Sequence, residues 1–172
     1  AGGMAGAGGM AGAGGMGGPV CGNNEIEDGE TCDEAAADCV DCQVQAVDVS
    51  AGGDFQGGFQ ASSYDLFTFR IEAESDVVLL TSDDAGGCPD GVDTQAVLEA
   101  VVDGEPNREV ANANDIDGEG NRCTRIESDR LAPGDYQLKV SGVGDSAAAM
   151  YTVSATFTVS CMLGDEACQQ LC

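Results

Sequence analysis

Carboxylates are the side chains of this sequence most able to do chemistry: 31 Asp and Glu stand against 6 Lys and Arg, with no His. They gather in two Asx/Gly-rich stretches, Ser82–Asp93 and Asn114–Asn121. Calcium takes six to eight oxygens from carboxylates, Asn side chains and backbone carbonyls on a flexible loop. Asp93, Asp115, Asp117 and Asn121 supply that inventory and are the candidate calcium ligands. The EF-hand spacing is absent. Asx and Gly are also the residues that tight turns require, and this reading of the two stretches weighs more. No cofactor is required by anything in the sequence, and Ca2+ is the ion these acidic stretches could hold.

Catalysis finds less support. Without His there is no base for a Ser or Cys triad. Acidic pairs are abundant, but none is singled out by its surroundings as a glycosidase-like dyad would be. The expectation is a non-enzyme. A net charge of −25 repels phosphates and anionic bilayers, so neither nucleic acid nor a membrane surface is an expected partner. No apolar run is long enough to span a membrane.

Nine cysteines are many for 172 residues and point to an oxidising compartment. Their number is odd, so one sulfur is free, modified or paired with another chain. One acidic stretch holds Cys88 and the other is followed two residues on by Cys123, which makes Cys88–Cys123 the first disulfide expected. Cys39-Val40-Asp41-Cys42, with Cys21 and Cys32, could form a four-thiolate zinc site. Disulfides in an acidic secreted module are the stronger reading. The segment 160–172, SCMLGDEACQQLC, adds Cys161, Cys168 and Cys172. A start at Ala1 suits a processed product, and the expected location is extracellular or on the outer cell surface. The sequence contains no N-x-S/T sequon.

The elements that must position these groups are strands. Tyr64–Ile71 alternates, with Phe67, Phe69 and Ile71 on one face, and Tyr136–Val140 does the same. Val77–Leu80 is apolar on both faces, as in a central strand. Met150–Val159 places Tyr151, Val153, Ala155, Phe157 and Val159 on one side. Val47–Val49 opens the set, with Gly52-Gly53 and Gly57-Gly58 expected as turns. From Asp93 to Gly142 the sequence reads as a strand carrying Val97, Val101 and Val110, the second acidic loop, a further strand, a Pro133-Gly134 turn and a last strand. About eight short strands separated by turn residues predict an all-β fold, an antiparallel, jelly-roll-like β-sandwich, with the two acidic loops facing each other across it.

The order D-T, apolar strand, D-G, N-D-x-D-G, R-I, L-x-P-G-D-Y and V-S-G resembles the bacterial pre-peptidase C-terminal domain, over Val47 to Val159. The D-x-F-T-F run at Asp65–Phe69 belongs to the same pattern. The resemblance implies a small β-sandwich appended to secreted proteins. It adds some weight to calcium, which certain members bind near such a loop. Cys21-Gly22-Asn23, Glu27, Gly29-Glu30 and Cys32-Asp33 resemble the short Cys-rich repeat of myxobacterial and other secreted proteins, departing at Asn24 where that repeat has Gly. This unit is too short for a hydrophobic core and needs covalent staples.

The organisation is therefore a Gly/Ala/Met-rich arm at 1–20, a disulfide-rich acidic module at 21–42, the sandwich at 43–160 and a Cys-rich tail at 161–172. The arm is periodic. Gly stands at Gly3, Gly6, Gly9, Gly12, Gly15 and Gly18, and Met at Met4, Met10 and Met16. Glycine at every third position suits a polyproline-II-type helix where chains pack closely, although collagen would need proline as well. A flexible linker has a similar composition. The function expected is that of a structural subunit of an extracellular filament or surface assembly, its partners being copies of itself joined through the arm. A module that binds surface glycan or calcium through the acidic loops is the alternative, and an accessory domain of a secreted hydrolase is another.

Overall fold

The computed structural model describes residues 30–32, 39–58, 64–83, 87, 93–114, 122–143 and 150–160. The arm glycines and methionines, Cys21, Cys88, Asp115, Asp117, Asn121, Cys161, Cys168 and Cys172 lie outside the described residues.

The chain is an all-β sandwich. A short hairpin, β1 (Cys39–Val40) and β2 (Gln43–Val44), precedes it. One sheet has five strands in the order β3 (Ala46–Asp48), β5 (Tyr64–Ile71), β10 (Gly134–Gly142), β7 (Thr94–Val102) and β8 (Glu105–Ala113). The other has four, in the order β4 (Gly53–Gly58), β11 (Met150–Val159), β6 (Ser75–Ser82) and β9 (Arg125–Leu131). Among the described residues pairing is antiparallel except where β3 runs parallel to β5, Val47 beside Phe67.

The period-two reading of the sequence places the core. Phe67, Leu98, Leu138 and Val140 of one sheet and Val77, Leu79, Tyr151 and Val153 of the other have almost no solvent exposure. Each such large apolar side chain contributes about 1.5–3 kcal/mol on leaving water. Phe69 stacks on Tyr136 at 5.5 Å between ring centroids and meets Phe157 of the opposite sheet at 5.0 Å. Val159, expected on the inner face, lies beyond the edge of this packing and is exposed.

Two turns fall elsewhere than the sequence suggested. The segment with Val97, Val101 and Val110 is a hairpin rather than one strand. It reverses at Asp103-Gly104, where both residues have positive φ, 56° and 85°, the backbone that a two-residue hairpin needs. Gly57-Gly58 is not a turn but the end of β4. Gly52 and Gly53, with φ of 68° and 107°, do turn the chain into that strand.

Candidate functional site

Three threonines close one pole of the sandwich. Thr81 is the next-to-last residue of β6, Thr94 begins β7 and Thr124 precedes β9, and all three are buried. The hydroxyls of Thr81 and Thr94 share a hydrogen bond of 2.7 Å, and those of Thr94 and Thr124 one of 2.9 Å. The Thr124 N–H donates to Thr81 Oγ1 at 2.7 Å, and the Thr124 hydroxyl also donates to the Thr94 carbonyl. A hydroxyl taken from water into a core needs such partners; here the three satisfy one another and lock two sheets together.

Both acidic stretches leave from this knot. One runs from β6 in the four-stranded sheet to β7 in the five-stranded sheet. The other runs from β8 back to β9. Their anchors therefore lie side by side at one pole; whether the loops face each other concerns residues outside the described ones. Thr81 N–H donates to the Thr124 carbonyl at 2.9 Å, and Thr94 N–H to the Arg122 carbonyl at 3.0 Å. Gly87 N–H donates to Asp83 Oδ1 at 2.6 Å, while Asp83 N–H donates to the Gly87 carbonyl at 2.7 Å.

Of the four candidate calcium ligands, the described one is Asp93. Its carboxylate faces Arg122, with Nε 3.9 Å from Oδ2, so an arriving cation competes with a guanidinium. Among the described residues, no three His, Cys, Asp or Glu side chains converge as a metal site.

Cysteines follow the disulfide reading. Cys32 and Cys39 are bonded to each other, which takes two of the four thiolates from the zinc alternative. Cys42 and Cys123 are also disulfide-bonded. Cys123 is buried against the loop pole, its Sγ 3.6 Å from the Gly87 carbonyl. Thr31 ties this module to its own hairpin, donating N–H to the Cys42 carbonyl at 2.9 Å and accepting at Oγ1 from Val44 N–H at 2.8 Å.

The sparse cations are mostly engaged. Arg70 pairs with Asp135 and Glu72, each at 2.8 Å; Arg130 pairs with Glu74 at 2.6 Å; Arg125 pairs with Glu127. Lys139 sits 3.9 Å above the centre of the Tyr64 ring. Exposed pairs of this kind contribute about 0–1 kcal/mol each, and with 31 acids against 6 bases they leave the body strongly negative.

Sequence reasoning missed the threonine knot, since Thr is common in strands and only the register shows that three of them meet. It also missed the edges. Strand β8 carries Pro106 and the charges Glu105, Arg108 and Glu109, and its pairing with β7 is bulged. Strand β9 is charged, bulged against β6 and bent at Arg130, whose φ is 57°. These devices keep an edge from pairing with another chain. Strand β4, GDFQGG, has fewer of them: it carries one charge, Asp54, and no proline, and its register with β11 is continuous from Gly53 to Gly58.

No family model and no curated protein matches the sequence. Among solved structures, the chain is similar to the pre-peptidase C-terminal domain of collagenase from Bacillus anthracis, at 15% identity over 65% of this chain and 95% of that one, TM-score 0.48. It is similar also to PliG of Aeromonas hydrophila, a periplasmic inhibitor of g-type lysozyme, at 10% identity over 66% and 96%, TM-score 0.44. CorA, a surface-associated copper-binding protein of Methylomicrobium album BG8, matches at 10% identity over 65% and 97%, TM-score 0.48. The fold assignment itself rests on the strand pairing described above.

Proposed function

We propose that this chain is a structural subunit of an extracellular or cell-envelope assembly, acting by association with copies of itself and not by catalysis. One contrast carries the reading. The disulfide-tied sandwich and its flanking modules hold every charged side chain, whereas residues 1–20 hold none and repeat with a fixed period. Two acidic bodies repel each other. An uncharged arm is the segment that one copy can bring to the next at no Coulombic cost.

Disulfide bonding at Cys32, Cys39, Cys42 and Cys123 supports an oxidising location. The sandwich then serves as a rigid body, and its buried polar groups, the threonine knot among them, act as internal fastenings.

Sedimentation velocity over a concentration series tests this reading. The intact chain sediments as growing assemblies, and the chain lacking residues 1–18 as a monomer. Monomeric behaviour of the intact chain at every concentration would remove the proposal.

A further inference from the structure

The open edge of β4 is a place for a strand to add. Alternate residues of an antiparallel strand turn N–H and C=O away from the partner, and among the described residues nothing pairs with β4 on the side away from β11. At the strand's end the Gly58 N–H donates to Asp65 Oδ2 at 2.9 Å, so an added strand pairs with the residues before it.

The side chains of β4 leave that flank clear. Asp54 turns back over β11, accepting from Ser154 Oγ at 2.6 Å, and Gln56 does likewise, donating to Thr152 Oγ1 at 3.0 Å. Gly53, Gly57 and Gly58 have nothing to project. Phe55 remains half-buried, offering an apolar flank. At this side of the sandwich the neighbouring edge, β3, is only three residues long. At the other side β8 and β9 approach each other, and both are guarded.

Resting on the assembly reading above, we infer that a segment of residues 1–18 of one copy adds as a β-strand to the β4 edge of the next. The arm is uncharged, so it approaches an acidic body without repulsion. Its repeat is as long as the edge: Met recurs every sixth residue, at 4, 10 and 16, and β4 has 6 residues. In an extended strand an even period puts all three methionines on one face, where a thioether reaches the Phe55 ring. Main-chain hydrogen bonds then supply affinity and the Met–Phe55 contact supplies register, as in strand addition generally.

Hydrogen exchange on the intact protein tests this. In the assembled material the β4 amides slow by about tenfold or more relative to dilute monomer, while those of β8 and β9 are unchanged. A variant with proline at the first two positions of every repeat (Ala1→Pro, Gly2→Pro, Ala7→Pro, Gly8→Pro, Ala13→Pro and Gly14→Pro) separates a strand from a polyproline helix. It leaves every third-position glycine in place, so a polyproline arm tolerates it. One of two adjacent residues must face the ladder, so an added strand loses a hydrogen bond and clashes. Loss of assembly and of β4 protection in this variant supports the inference. Assembly retained in the variant overturns it, as does assembly of the parent chain with β4 unprotected; both outcomes leave the assembly reading standing. Protection of β4 in a chain that stays monomeric overturns the inter-copy pairing. Failure of the parent chain to assemble at all defeats the assembly reading together with this inference.

Discussion

Gly57 lies under the ring of Tyr151, so close that a Cβ at this position would stand 2.4 Å from the ring's Cζ. The hydroxyl of that tyrosine donates to Asp65 of the opposite sheet. Glycine is needed here for space, since no positive φ is involved. The pair joins β4, β11 and β5 at one point, and Gly57→Ala must push either the ring or the edge strand aside. Overpacking of a tight core costs about 2 kcal/mol. Urea denaturation is expected to show that loss with an unchanged m-value.

Thr94 is the middle member of the threonine knot. Thr94→Val keeps the shape but removes the hydroxyl that Thr81 and Thr124 both bond, leaving Thr81 Oγ1 its bond from the Thr124 N–H and the Thr124 hydroxyl its bond to the Thr94 carbonyl. A buried hydrogen bond contributes about 0.5–1.5 kcal/mol, so losing two costs about 1–3 kcal/mol. A comparable Thr→Val change at half-exposed Thr68 should cost much less. Thermal melts of the two variants make the comparison, and equal losses would contradict the role of the knot.

Asp76 fastens the far end of β6. Its carboxylate accepts from Ser160 Oγ at 2.8 Å and from Arg130 N–H at 2.9 Å, and these bonds hold its pKa below the ordinary value of 3.8. A group whose pKa is lowered by folding stabilises the fold while charged, and the contribution is lost as pH falls through the lowered value. Asp76→Asn should therefore be less stable than the parent at neutral pH, and the difference should close as the pH is taken below about 4. Denaturation curves between neutral and acid pH would show it. A gap that widens on acidification would contradict the assignment.

Cys123 is disulfide-bonded and buried beside Gly87, the residue that precedes Cys88 in sequence. Cys88 is the expected partner. Proteolysis without reduction, followed by mass spectrometry, should yield one peptide containing both residues. A Cys123 peptide linked instead to the N-terminal module or to the 161–172 tail would refute that pairing.

The sandwich was legible wherever one face of a strand is buried. Alternation in Tyr64–Ile71, Tyr136–Val140 and Met150–Val159 identified Phe67, Leu138 and Val153 as inward residues, and these are buried. Turns were harder, because glycine serves two needs that look alike in a sequence. Gly104 is present for a left-handed backbone, Gly57 for clearance under a ring that is distant in sequence. The hairpin at Asp103-Gly104 was hidden by valines on both arms that read as one long strand. The threonine knot depends on residues up to 43 positions apart, and local pattern carries no trace of that meeting. Nor does composition say which edge is left open: that follows only from the strand order and from where Asp54 and Gln56 turn their side chains.

Assembly through the N-terminal arm is tested most directly by electron microscopy of the intact protein beside the same chain lacking residues 1–18, at matched concentration and under oxidising conditions. Regular filaments from the intact chain and dispersed particles from the truncated one are the expected result. Filaments from both, or from neither, would contradict the arm as the polymerising element.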